Sequence, residues 1–170
     1  MHYSISVKAS CKTHNLGFSL LELMVVIAII AILAMLAIPS NIGEITQKRI
    51  IETLDLVEPY KTNIVNHYKF NSGNFPENND DAGIPEAHQI MGNYLRKMEV
   101  RDGAMHLTLG QKLPEKLHNK IITIRPVFVK DSPNSPVSWI CGNNKVPTGM
   151  TASGVNLTDV EPLFLPGRCR

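Results

Sequence analysis

The chain has 170 residues, enough for one domain of ordinary size, with 44% hydrophobic and 19% charged residues, the balance of a folded protein. Lys and Arg number 17 against 15 Asp and Glu, but Lys8 and Lys12 lie in the first seventeen residues, which hold no acid. From residue 18 onward the count is therefore 15 to 15, and a neutral chain argues against a dominant nucleic-acid-binding role, with only a local basic stripe left open.

The apolar residues are unevenly spread. From Leu23 to Ile38 there is not one polar or charged side chain. Phe18 to Ile38 predicts a helix about 31 Å long at ~1.5 Å per residue, close to the ~30 Å hydrocarbon core of a bilayer. Lys8 and Lys12 precede this span, whereas Glu44, Lys48, Arg49 and Glu52 follow it with mixed sign. The positive-inside rule then puts the N-terminus in the cytoplasm and the bulk of the chain outside it. A conventional cleaved signal peptide competes, with Ala34 and Ala37 near its end, but its apolar run would be shorter. Glu22 is the anomaly, because a carboxylate in an apolar helix costs a few kcal/mol. It either snorkels to the headgroups or awaits a partner charge. Pro39 lacks an N–H and bends or ends the helix, and Gly43 weakens it further.

The stretch GFSLLELM, Gly17 to Met24, resembles the processing site of type IV prepilins and related pseudopilins. The resemblance implies a class III signal: a leader of residues 1–17, cut after Gly17 on the cytoplasmic side by a dedicated prepilin peptidase. That enzyme is also an N-methyltransferase and would methylate the new N-terminus at Phe18. The family's glutamate five residues into the mature chain matches Glu22, and its helix-kinking proline matches Pro39. In such a filament the Phe18 ammonium meets the Glu22 carboxylate of an adjacent subunit, each charge offsetting the other's burial. Here the leader is longer than usual beside an N-terminal Phe, and Asn15-Leu16 rather than a basic residue precedes Gly17.

Beyond Pro39 the polarity changes. Ile50, Leu54, Val57, Ile64 and Tyr68 fall at helical spacing, interrupted by Lys61, and predict an amphipathic helix packed on a globular head. Pro59 should kink or divide it. Asn71 to Pro76 carries turn chemistry, and residues 77 to 93 read as a polar loop with at most a short helix. Asp102-Gly103 between LRKMEV and AMHLTL is a hairpin signal, with Met105, Leu107 and Leu109 alternating with Ala104, His106 and Thr108. Ile121 to Val129 predicts a third strand and Val137 to Cys141 a fourth, joined by the 132–136 loop. Pro126 suggests that the third strand is an edge or carries a bulge. The expected fold is α+β: a long N-terminal helix, membrane-spanning in its first half (18–39), packed on an antiparallel sheet in a head of residues 40–170.

The loop at 72–85, WICG at 139–142 and LPGRCR at 165–170 resemble the type IVa pilins, which implies a disulfide between Cys141 and Cys169. Three cysteines are present, and removal of Cys11 with the leader leaves an even count. Two separate buried thiols are the alternative. Trp139 is expected in the core.

No enzyme motif, cofactor fingerprint or metal-ligand spacing is found. His67, His88, His106 and His118 are scattered. Glu77, Asp80 and Asp81 read as an exposed loop in preference to a cation site, and Asn156-Leu157-Thr158 as a sequon of high chance rate. The function expected from the resemblance is a structural subunit of a type IV pilus, serving adhesion, twitching motility or DNA uptake. Its partners would be the peptidase, other pilins, an inner-membrane assembly platform and membrane lipid. A type II secretion pseudopilin is the first alternative. A tip subunit binding DNA or a receptor through Lys112, Lys116, Lys120, Arg125 and Lys130 is the second, against a mixed-charge surface with Glu115 and Asp131.

Overall fold

A computed structural model describes residues 17–37 and 42–170. The chain divides into two compact units, Met1–Ser40 and Asn41–Arg170. In the first, α1 (Leu20–Ala37) follows a non-helical Gly17–Ser19 and is apolar on all sides apart from Glu22. Among the described residues, no helix is long and apolar enough to cross a membrane. The 18 residues of α1 span about 27 Å, short of ~30 Å. Ile38, the last residue of the expected span, and Pro39 lie outside the described residues.

The second unit starts with two helices. They are α2 (Ile42–Leu56) and α3 (Tyr60–Phe70). Pro59 divides them, as expected, because it has no N–H to extend the α2 ladder. The chain turns there on short three-residue bonds: Tyr60 N–H donates to Val57 O at 3.1 Å and Lys61 N–H to Glu58 O at 3.2 Å. The expected stripe of Ile50, Leu54, Val57, Ile64 and Tyr68 is buried throughout. Lys61 escapes the core by pairing with Glu58 at 2.7 Å.

The sheet has the order β1-β2-β3-β4 and is antiparallel: β1 (Leu95–Arg101), β2 (Ala104–Leu109), β3 (Ile121–Phe128) and β4 (Ser138–Cys141). A short β5 (Thr151–Ala152), which the sequence did not suggest, also pairs with β3. The Asp102-Gly103 hairpin forms, with φ of 50° and 77°. One face of the sheet carries Met98, Val100, Met105, Leu107, Ile122 and Ile124 into a single core with Ile50, Leu54, Val57 and Ile64 of the helical stripe and with Phe164.

One expectation is corrected, and two features go beyond what the patterning stated. Pro126 lies neither on an edge strand nor at a bulge. The β2 ladder stops at Met105 opposite Ile124, the β5 ladder starts at Ala152 opposite Val127, and Pro126 falls between them. Its missing donor is thus never needed. The bulge is in β1 instead, between Leu95 and Lys97. With Val100 and Met98 facing inward, strict alternation would bury Arg96; the extra residue turns Arg96 to solvent and buries Leu95. Finally, β2 is buried on both faces, so His106 and Thr108 are not solvent-facing. The return segment at 153–158 crosses the second face. Gly154 lies so close that a Cβ there would approach that of Ala104 to 2.4 Å.

Candidate functional site

The N-terminal constellation occupies one short stretch. Gly17 has open space where a Cβ would stand, and Phe18 is 75% exposed. Leu23 N–H donates to Ser19 O at 3.1 Å, which starts the helix. Glu22 then falls in the first turn of α1, where unpaired N–H groups favour a carboxylate. It is the sole charged side chain of α1. The arrangement places a non-helical Gly17–Ser19 segment and one carboxylate at the head of an otherwise apolar rod.

At the other end of the chain, Cys141 on β4 and Cys169 are joined in a disulfide, 28 positions apart in sequence and 4.5 Å between Cα atoms. Cys169 sits on a short 3₁₀ turn, Gly167–Cys169. The bridge lies in the core cluster, and Asn143 N–H donates to Cys169 O at 3.0 Å. Gly142 has φ 59°, and a Cβ there would strike Cys169 O at 2.2 Å, so only glycine fits. Trp139 is partly buried against the core, with Lys61 Nζ 5.4 Å from its ring centroid.

Residues 49–170 match the Pilin family, described as a bacterial filament. The chain belongs to the pilin family. Residues 12–38 of this pilin match the prokaryotic N-terminal methylation motif. It is similar to a type IV major pilin protein PilE1 of Neisseria gonorrhoeae, 30% identical over 159 residues, covering 91% of this chain and 86% of that one. It is also 30% identical over 165 residues to a fimbrial protein of Neisseria meningitidis serogroup B, covering 91% and 93%. The resemblance read from Gly17 to Met24 and from the cysteine flanks is therefore that of the family itself, a structural one.

The five basic residues considered for a binding face lie in different places, and three of them are engaged within the head. Lys112 Nζ donates to Asn93 Oδ1 at 3.1 Å, Lys116 Nζ lies 4.0 Å from the Phe164 ring centroid, and Lys120 pairs with Asp159 at 3.1 Å. Arg125 is half-buried with its Nε lacking a hydrogen-bond partner, and Lys130 stands beside Asp131 in a hollow near Tyr68. Among the described residues, no three His, Cys, Asp or Glu are gathered as metal ligands. Asp81 Oδ2 instead accepts from Glu77 N–H at 3.2 Å. In the sequon, Asn156 Oδ1 accepts from Thr158 N–H at 3.1 Å.

Two features carried no sequence signal. Asn79, in a polar loop, docks on the free edge of β1: its Nδ2 donates to Met98 O and Pro85 O at 3.1 and 2.8 Å, and its Oδ1 accepts from Val100 N–H at 2.7 Å. A side chain thereby stands in for a neighbouring strand and closes the sheet edge. On the second face, Glu99 bridges Arg101 at 2.7 Å and Lys97 at 3.2 Å. The Arg101 hydrogen bond, chiefly, holds its carboxyl below the ordinary range despite partial burial. His106 beside it is 4% exposed, and desolvation, with the Arg101 charge, pushes its pKa down.

Proposed function

We propose that this pilin is made as a prepilin, cut after Gly17, methylated at Phe18, and polymerised into a type IV pilus. One observation carries the reading: Glu22 is the single charge at the head of an apolar helix that follows a non-helical glycine–phenylalanine junction. Such a helix finds partners in lipid before assembly and in copies of itself afterwards. Inside a bundle of these helices the carboxylate needs a cation, and the Phe18 amine of an adjacent subunit supplies it. The precursor would sit in the inner membrane with its head outside the cytoplasm, meeting the peptidase and an assembly platform there, and the finished filament would be extracellular. Adhesion, twitching motility and DNA uptake are the roles such a filament would serve, without enzymatic activity of its own. The disulfide-closed C-terminal segment favours this reading over a secretion pseudopilin.

Mass spectrometry of sheared filaments tests it. The mature chain should begin at N-methylated Phe18. Retention of residues 1–17, or a start near Ser40, would overturn it.

A further inference from the structure

We propose that His106, Thr123 and Leu157 form a pH-sensitive clasp that holds the disulfide-closed segment against the sheet and releases it on acidification. His106 and Thr123 stand directly opposite each other on β2 and β3. Both are buried, at 4% and 1% exposure. The His106 Nδ1 and Thr123 Oγ1 atoms are 3.1 Å apart, and Leu157 N–H donates to that same Oγ1 at 3.0 Å. Thr123 N–H donates in turn to Thr158 Oγ1 at 3.0 Å. One threonine thus carries two of the bonds that bring the return segment back to β3. Others are at Asp159, whose N–H donates to Ile121 O and whose Oδ1 accepts from Ile121 N–H, and at Ser153, whose N–H donates to Pro126 O.

The direction of the hydroxyl proton decides what this relay does. Leu157 N–H fills one acceptor site on Oγ1. In the neutral Nε2–H tautomer, which the clasp requires, Nδ1 is an acceptor and takes the hydroxyl hydrogen, so the chain from Leu157 through Thr123 to His106 is polarised in one direction. Imidazolium carries a hydrogen on Nδ1 as well. Oγ1 must then accept from both sides, and its own hydrogen is left without a partner in a buried place, a costly state. The strain is relieved when the imidazolium or the Leu157 strand moves away.

The neighbouring charges are mixed. Lys97, Glu99 and Arg101 of β1 face the same cleft of about 590 Å³ as His106, with Arg96 and His88 at its wall. Arg101 opposes a charge on His106, whereas Glu99 and Asp102 favour one. Arg125 lies two residues along β3 from Thr123, and Asp159 of the return segment is already held by Lys120. Glu99 is likewise committed to Arg101 and Lys97. Among the described residues no carboxylate hydrogen-bonds the His106 ring, so burial governs, and the ring borders the cleft through which protons reach it.

Hydrogen–deuterium exchange on the full-length chain in detergent tests this, with protection factors corrected for the intrinsic pH dependence. Peptides over Asn156–Val160 should keep their protection above the ordinary imidazole value of 6.5 and lose it progressively below. The loss should reach about tenfold per pH unit within the titration window, while Met105–Leu109 stays protected. His106→Gln should flatten the profile. Thr123→Val should lower protection at every pH, and Thr123→Ser should restore it. A flat wild-type profile, a step retained in His106→Gln, or a step centred in the carboxylate range would overturn the clasp. If His106→Gln does not fold, NMR of the wild type decides: the His106 ring and the Leu157 amide must titrate together, and different midpoints reject it.

Discussion

At the scale of single residues, Glu22 and Asn79 carry opposite lessons. Glu22 is exposed on an apolar helix, and among the described residues no side chain pairs with it. Its role under the proposed assembly lies between chains. Glu22→Ala should therefore leave a stable, membrane-inserted protein that polymerises poorly, read as sheared-filament yield against the membrane pool. Normal filaments in the mutant would show that Glu22 only snorkels. Asn79 acts within the head. Asn79→Ala strands the Val100 N–H and the Met98 C=O at the β1 edge. At about 1–3 kcal/mol per buried unsatisfied group, the loss for the two groups should be about 2–6 kcal/mol. A lower denaturant midpoint with unchanged slope would register it, and an unchanged midpoint would mean that water replaces the amide.

At the scale of elements, the segment between Cys141 and Cys169 has little regular structure: a two-residue strand, turns and a short 3₁₀ helix. Such a segment is held by its ends and by scattered side-chain bonds. Closing a loop of this length is worth about 3–4 kcal/mol by chain entropy. Replacing both cysteines by serine should lower head stability by that order and reduce filament yield. Non-reducing peptide mapping of the wild type should recover the two cysteines linked, and free thiols in exported protein would reject the bridge. The β1 bulge is an element-scale device of the same kind. It lets one strand bury Leu95, Met98 and Val100 although their spacing is uneven.

At the scale of the whole molecule, two titrations set the acid side of stability. The folded state holds His106 below its ordinary value, so the unfolded chain binds the proton first as pH falls. Stability is then complete above about 6.5 and declines below it. Glu99, also held low, adds stability that is present above its ordinary value of 4.5 and lost as pH drops further. Unfolding curves across pH should show both declines, with the upper one absent in His106→Gln. A wild type equally stable from neutral to carboxylate pH would contradict the buried, neutral His106.

Local chemistry alone determined much of this. The glycine–phenylalanine junction, the lone Glu22, the helical stripe from Ile50 to Tyr68, the break at Pro59 and the Asp102-Gly103 turn are all legible in residue type and spacing. They depend on interactions between near neighbours, which a sequence displays directly. What only the tertiary structure decided depends on partners far apart in the chain. Asn79 reaches β1 across about twenty positions, and His106 meets Thr123 across 17 and, through it, Leu157 across a further 34. Alternation along β2 put His106 on the face opposite Met105 and Leu107, and period-two patterning names two faces without saying what covers the second. The return of residues 153–158 across that face covers it, and the burial of His106 follows from that.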